Sequence, residues 1–340
     1  MGKPFAITEW NYCYPNRYGA EGPFLVGAYS ALQNYGALTQ FAFAHKTGTM
    51  EGKEPLGPFD YANHPVLRLG MRAGAFFFLR GDVSASGIEV PVYQPEEYWT
   101  FPGFRQSGVS ETLGLVVQTG TAFSMDSSKI QGIVFPDAVP VPKHSRIPIV
   151  SGSEQSVMTA LAAKHVLPPD RVDWETGRFT SSTGELELNK KQWTFRSITA
   201  RSESFLLPAG KRGNGKFASI VNRKNQAAFL VASLEEKPLT ESRRILILHL
   251  TDAKSDGAVF RDPEMAILEH SGSPRLLVLR GEAELTLNST TAGTLYACDI
   301  SGRRLFQVPS QTRDSDTLYP LKTDSNQGPV LVYELIREIP

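Results

Sequence analysis

The stretch that most constrains this chain begins at residue 5. Phe5-Ala6-Ile7-Thr8 is a short apolar, β-prone run that ends on an acid, an aromatic and an amide, Glu9-Trp10-Asn11. A parallel strand buried on both faces reads this way. A polar, proline-bearing loop follows over residues 12–23. Residues 24–35 then take helical spacing, with Leu25, Val26, Ala28, Tyr29, Leu32 and Tyr35 mainly on one face. Gly36 stands where glycine commonly ends a helix. Residues 38–44 read as a second short buried strand. Pro65 marks the first position of a second helix, capped by Asn63 or His64. That helix runs through Leu69, Met71, Phe76 and Leu79 and stops at Gly81. The order is β-α-β-α with the spacing of parallel units. Two strands do not make a stable sheet, and nothing later in the sequence repeats the pattern. The opening reads as a piece of a larger α/β unit whose other strands lie upstream of Met1 or on another chain.

From about residue 88 the pattern changes. Strands are expected at 88–93, 113–117 and 130–135, with a short helix over 154–165 where Val157, Leu161 and Lys164 follow helical spacing. From about Arg171 the pattern is all-β. Strands are expected at 185–188, 193–197, 204–207, 217–221, 227–233, 244–250, 275–280, 283–287, 294–299, 317–320 and 330–336, with residues 299–304 turning between two strands. Short strands at regular spacing with turn signals between them predict a sandwich or barrel.

A chain of 340 residues exceeds one ordinary core. We expect divisions at 1–82, 83–170 (an intermediate β-rich domain or linker) and 171–340. Lys+Arg and Asp+Glu are both 35, so no basic excess points to nucleic acid or an anionic membrane. No apolar run reaches the roughly 18 residues of a membrane span, and no charged n-region precedes an apolar h-region, so no signal peptide is expected. Cys13 and Cys298 are too few for a disulfide framework or a metal site; both are expected free.

Several groups of residues together resemble a known family. Ile7-Thr8-Glu9-Trp10-Asn11, Glu21-Gly22-Pro23, residues 28–33 and Phe41-Ala42-Phe43-Ala44-His45 look like the seventh and eighth βα units of clan A glycoside hydrolases. The nearer likeness is to large bacterial cellulase-like or β-galactosidase-like enzymes with C-terminal β-domains. Residues 59–63, 78–82, 181–186, 242–246 and 249–252 fit the same proteins. The resemblance implies an α+β multidomain protein: the last two βα units of a TIM (β/α)8 barrel, then β-sandwich-type C-terminal domains. It implies a retaining mechanism on β-linked oligo- or polysaccharides, with no cofactor, in a parent enzyme that is periplasmic or secreted.

In that family the acid at the end of the seventh strand is the nucleophile, which by position is Glu9. Barrel active sites lie at C-terminal strand ends, and a retaining enzyme needs a second carboxyl roughly 5–5.5 Å away. The family carries that acid/base near the end of strand four, usually in an Asn-Glu pair, and this chain has no such strand. General-acid help is typically worth about 10²–10⁴-fold, so the chain alone is expected to be inactive. It is read as a truncated product or as one subunit of a split enzyme whose partner chain supplies six βα units. The competing reading is a non-catalytic carbohydrate-binding or structural β-protein.

Around Glu9, Trp10, Asn11 and Tyr12 are candidates for a sugar subsite, or for packing their own loop; Tyr14 and Tyr18 add aromatic surface. His45 follows the second strand and is a candidate for a substrate hydroxyl or a structural hydrogen bond. Glu21, at a helix start, suits the helix dipole. Asp252 and Asp256 with Lys254 read as a solvated turn or, less simply, a calcium loop. Residues 210–216 superficially resemble a phosphate loop but lack its Lys-Ser/Thr ending and precede a strand, so a hairpin turn is expected. Residues 114–120 contain no serine for a nucleophile elbow. Trp99, Trp174 and Trp193 are read as core packing, with sugar stacking as the alternative.

Overall fold

The computed structural model describes residues 4–94, 111–123, 158–159, 162–163, 165, 167–288, 293–313 and 316–338. The expected strand at 130–135, most of the helix at 154–165 and Trp99 lie outside these residues. Positions 158–159 and 162–163 are helical. The protein is mostly β-sheet with few helices. It forms two compact units, neither contiguous: Met1–Ala6, Tyr29–Ala37 and Val83–Gln192 make one, and Ile7–Ala28, Leu38–Asp82 and Trp193–Pro340 the other. The first 82 residues are therefore not a unit of their own.

The opening is β1 (Ala6–Trp10), α1 (Gly22–Leu32), β2 (Ala37–Gln40), a one-turn α2 (Thr47–Met50) and α3 (Pro65–Phe78). The Gly36 amide donates to the Phe5 carbonyl and the Phe41 amide to the Trp10 carbonyl. The same offset at both ends makes the β1–β2 pair parallel. The expected β-α-β-α order is therefore present. The expected burial is not: Ala6, Thr8 and Glu9 of β1 are exposed, as are Ala37 and Thr39 of β2, and Phe5 beside them is 55% exposed. The physical reason is that the sheet has two strands only. His64 caps α3, its ring accepting from the Leu67 amide at 3.3 Å, and Pro65 follows as the first helical residue. Gly81 beyond the helix has φ 68°. Helices α1 and α3 approach so closely at Gly27 and Gly74 that a Cβ on Gly27 would stand 2.7 Å from the Gly74 Cα.

In the first unit, β3 (Glu89–Gln94), α4 (Glu111–Val116) and β4 (Gln118–Phe123) form a parallel pair, Glu89 opposite Gln118. The strand expected at 113–117 is thus α4, and the strand comes after it. Gln33 fixes this corner: its Nε2 donates to the Gly114 and Val117 carbonyls (2.5 and 2.7 Å), and its Oε1 accepts from the Thr119 amide at 2.8 Å. Then β5 (Val172–Asp173), β6 (Arg178–Thr180) and β7 (Leu186–Asn189) follow as an antiparallel meander.

The second unit continues with β8 (Thr194–Ile198), β9 (Ser202–Leu207), β10 (Arg212–Asn214), β11 (Ala218–Lys224), β12 (Ala227–Ser233) and β13 (Arg244–Leu250). Short strands come next: β14 (Ala253–Ser255), β15 (Val259–Phe260), β16 (Leu268–His270) and β17 (Leu276–Val278). Then come β18 (Glu282–Leu287), β19 (Gly293–Cys298), β20 (Arg304–Val308), β21 (Gln311–Arg313), β22 (Asp316–Lys322), β23 (Asp324–Ser325), β24 (Gly328–Pro329) and β25 (Val332–Arg337). One antiparallel sheet runs β20-β19-β25-β13-β12-β9-β8, and a second runs β10-β11-β18-β22-β21.

Alternate residues of both sheets enter one buried cluster, with Phe205, Phe229, Ile247 and Tyr333 from the first and Ile220, Leu285 and Tyr319 from the second. Period-2 alternation puts these on one face of each strand. Strand β12 is buried at every residue, because residues 19–21 and α3 contact the other face of β12 and β13. That explains the unbroken apolar run at 227–232. Residues 210–216 do belong to a hairpin, in which β10 pairs antiparallel with β11. Buried Glu203 closes it, accepting from the Lys216, Phe217 and Ala218 amides at 2.6, 2.7 and 2.9 Å. No described helix is long and apolar enough to cross a membrane.

His249 lies opposite Phe229 in the core, stacked on it at 4.7 Å. Neither ring nitrogen has a hydrogen-bond partner among the described residues. Burial holds its pKa down at about 3. The unfolded imidazole protonates near 6.5, so this stability is complete above that pH and is lost as pH falls toward 3. His249→Leu is expected to lower by about one the protons taken up on unfolding in that window. Urea midpoints measured from pH 7 to 3 check it; an unchanged pH slope would refute it.

Candidate functional site

The C-terminal ends of β1 and β2 carry the expected site residues. Glu9 is exposed and makes no hydrogen bond or ion pair among the described residues. Trp10 is half-buried, its Nε1 without a partner among them. Asn11 is held at both ends of its amide. Its Nδ2 donates to the Phe59 carbonyl at 2.8 Å, and its Oδ1 accepts from Gln40 Nε2 at 3.3 Å. The chain leaves β2 through Phe41–Ala42, a cis peptide. Residues 41–45 then run beside 57–62. The Ala42 amide donates to the Phe59 carbonyl, and the Phe43 carbonyl accepts from the Tyr61 and Ala62 amides.

This brings His45 against the rings of Phe41 and Phe59, centroids 5.3 and 6.3 Å away. His45 Nδ1 lies 2.7 Å from Asp60 Oδ1. Phe43 and Phe59 are exposed. The structure therefore brings Trp10, Asn11 and His45 to one rim, together with Gln40, Phe41, Phe59 and Asp60, which sequence reasoning did not single out as site residues. Their only sequence signal is the Gly57-Pro58 turn that returns the chain to the strand ends. Asp60 is the one among them whose side chain makes a polar contact with His45.

Tyr12 turns elsewhere. Its ring packs on Gly22, where a Cβ would stand 2.7 Å from Tyr12 Cδ1. Burial, and then the nearby Glu21, raise its phenol pKa. Tyr14 is buried; its hydroxyl donates to Ser255 Oγ at 3.1 Å and accepts from the Ser255 amide at 2.8 Å. Tyr18 is exposed under Arg17, 5.2 Å from ring centroid to guanidinium. Asp252, expected in a solvated turn, is buried and ion-paired to Lys254. Trp174 is partly buried, edge-on to Phe179 at 5.0 Å. Trp193 is not core: it is 80% exposed on a turn, at φ 55°. Cys13 and Cys298 are free thiols. No group of three or more potential ligands that could hold a metal occurs among the described residues.

Comparison with protein-family models, with curated proteins and with solved structures finds no match. The functional reading rests on the residues themselves.

Among carboxylates near the opening strands, Asp82 is clamped by Arg80 at 2.5 Å and Arg201 at 3.1 Å. Glu21 is the perturbed one. Gln226 Nε2 donates to it at 2.6 Å, but burial dominates and pushes its pKa up to about 7. The folded value lies above the unfolded one, so its contribution is complete below about 4.5 and is lost as pH rises through 7. Glu21→Gln keeps an acceptor for Gln226 and removes the buried charge. It is expected to stabilise the protein by about 1–3 kcal/mol above pH 7 and by nothing near pH 4. Denaturant melts of both proteins at the two pH values measure this; a loss of stability at pH 8 would contradict it.

Proposed function

We propose that this chain is the C-terminal part of a retaining glycoside hydrolase acting on β-linked glycosides, with Glu9 as nucleophile. In this reading β1, α1, β2 and α3 are the last two βα units of a (β/α)8 barrel, and the two antiparallel sheets of the second unit form a β-sandwich. The observation that carries it is Glu9 itself: an exposed carboxylate at the C-terminal end of a parallel strand, unpaired among the described residues. Barrel enzymes keep their reacting groups at such strand ends.

The chemistry is that of the carboxylate. Glu9 attacks the anomeric carbon and forms a glycosyl ester while the leaving oxygen takes a proton from a second carboxyl. That second group has no assignment among the described residues beside Glu9: Asp60 is committed to His45, and Asp82 to two arginines. In this reading a partner segment that carries the other strands supplies the acid/base. The aromatic rim of Phe41, Phe43 and Phe59 suits the apolar faces of sugar rings, with Asn11 and His45 for hydroxyl groups.

A second reading, a non-catalytic carbohydrate-binding β-protein, is favoured by Trp193, an indole presented to solvent on a turn. The two readings part on one measurement. In the catalytic assembly, a 2-deoxy-2-fluoro β-glycoside with a good leaving group is expected to label Glu9, seen by peptide mass spectrometry. Glu9→Gln is expected to remove the label and lower turnover by several orders of magnitude, while the chain by itself turns over no unactivated β-glycoside. A label on another residue, or normal turnover by the variant, would rule out the nucleophile assignment.

A further inference from the structure

We propose that Asp60 is a positioning residue for His45, holding its imidazole with the proton on Nδ1 so that Nε2 accepts a hydrogen bond from a sugar hydroxyl. The sugar half of this inference rests on the glycosidase reading above; the positioning half does not.

Asp60 is 3% exposed whereas His45 is 48% exposed. Asp60 Oδ1 takes two donors from the same residue, the His45 amide at 3.0 Å and His45 Nδ1 at 2.7 Å. Its Oδ2 accepts from the Gly57 amide at 3.2 Å. A carboxylate bound by two backbone amides is an acceptor only, so the Nδ1 that faces it must be the donor. In the neutral ring this leaves Nε2 bare, with a lone pair. Nε2 has no hydrogen-bond partner among the described residues, and the ring is steadied edge-on against Phe41 at 5.3 Å. The imidazole is thus fixed in position, tautomer and rotation, with one acceptor directed away from Asp60.

A bare imidazole nitrogen accepts one hydrogen bond and offers none. At the mouth of a sugar site it selects a hydroxyl that donates to it, and it rejects a ring position that carries only an acceptor. Gly57 is part of the same device. A Cβ there would stand 2.8 Å from Asp60 Oδ2, so the backbone approach that satisfies the second carboxylate oxygen requires glycine at that position.

The test uses the 340-residue chain with ¹⁵N-labelled histidine and tryptophan. Long-range ¹H–¹⁵N spectra at about pH 8, where an ordinary imidazole is neutral, are expected to show His45 protonated at Nδ1 and bare at Nε2. In Asp60→Ala the Nδ1–H, the His45 amide and the Gly57 amide all lose their acceptor, and the Nε2–H form is expected to become the major one. Gly57→Ala keeps the carboxylate but displaces it, and is expected to shift the tautomer the same way. Methyl resonances of the β-sheet core report independently that each variant is folded.

Methyl β-D-glucopyranoside and methyl β-D-galactopyranoside are then titrated. At least one is expected to move the His45 Nε2 resonance, with affinity about tenfold weaker in Asp60→Ala. A wild-type ring protonated at Nε2, or a folded Asp60→Ala with unchanged tautomer, overturns the positioning role whatever the sugars do. A glycoside that shifts the Trp10 indole but not His45 overturns this inference and leaves the glycosidase reading standing. Silence at both residues, with the Nδ1–H form intact, overturns it and counts against that reading as well.

Discussion

The arrangement of the opening residues depends on two buried polar side chains that reach strand β14. Tyr14 gives its hydroxyl to Ser255 and takes the Ser255 amide in return. His64 accepts the Leu67 amide on Nδ1 at 3.3 Å, and its ring interacts with the Ala253 backbone. Burial and the nearby Lys254 hold its pKa down at about 3. Removing either ring would leave buried backbone groups without partners, at about 1–3 kcal/mol for each group. The rim inherits this rigidity, because the Tyr14 amide donates to the Pro58 carbonyl. The loop that carries Asn11 and the loop that carries Phe59 and Asp60 are therefore tied together close to the anchor.

Some of this was legible in the sequence and some was not, for identifiable reasons. Strands 227–233 and 244–250 match residue for residue, because their runs of apolar residues are long enough to exclude other readings. Pro65 and His64 announced the start of α3 because a helix start has few chemical solutions. Residues 113–117 failed because a short apolar run carries no period. The run is the buried side of a six-residue helix, and the strand is the polar stretch after it, paired to β3. What decides between them is Gln33, some eighty residues earlier, which takes up the carbonyls at the helix end. The order of β1 and β2 was legible, but their burial was not. Burial of a strand depends on neighbours, and composition reports only what the strand would tolerate.

The site divides along the same line. Glu9, Trp10, Asn11 and His45 could be singled out because they stand at strand ends, where local pattern is informative. Asp60 could not, since its role exists only once residues 57–62 fold back beside 41–45. Glu21 illustrates the opposite error. A carboxylate at a helix start favours the dipole, and that is sound for an exposed acid. Here burial outweighs the dipole, and the pKa rises instead of falling. His249 sits inside an apolar strand where alternation alone gives no sign that both its nitrogens lack partners among the described residues.

In the glycosidase reading proposed above, the exposure of β1 and β2 and the want of an acid/base among the described residues express one constraint. Two parallel strands leave their outer edges with unpaired amides and carbonyls, a liability that folded proteins usually cover. They also leave Glu9 exposed and Phe5 largely so, with Tyr35 beside the Phe5 ring at 4.6 Å. In that reading, the group that works on a sugar bond opposite Glu9 comes from a further segment, at a carboxyl separation of roughly 5–5.5 Å for a retaining mechanism. Strands that bury Phe5 and Ile7 would end at the same rim and bring their own C-terminal residues toward Glu9. In that reading, completing the sheet and completing the catalytic pair are a single event.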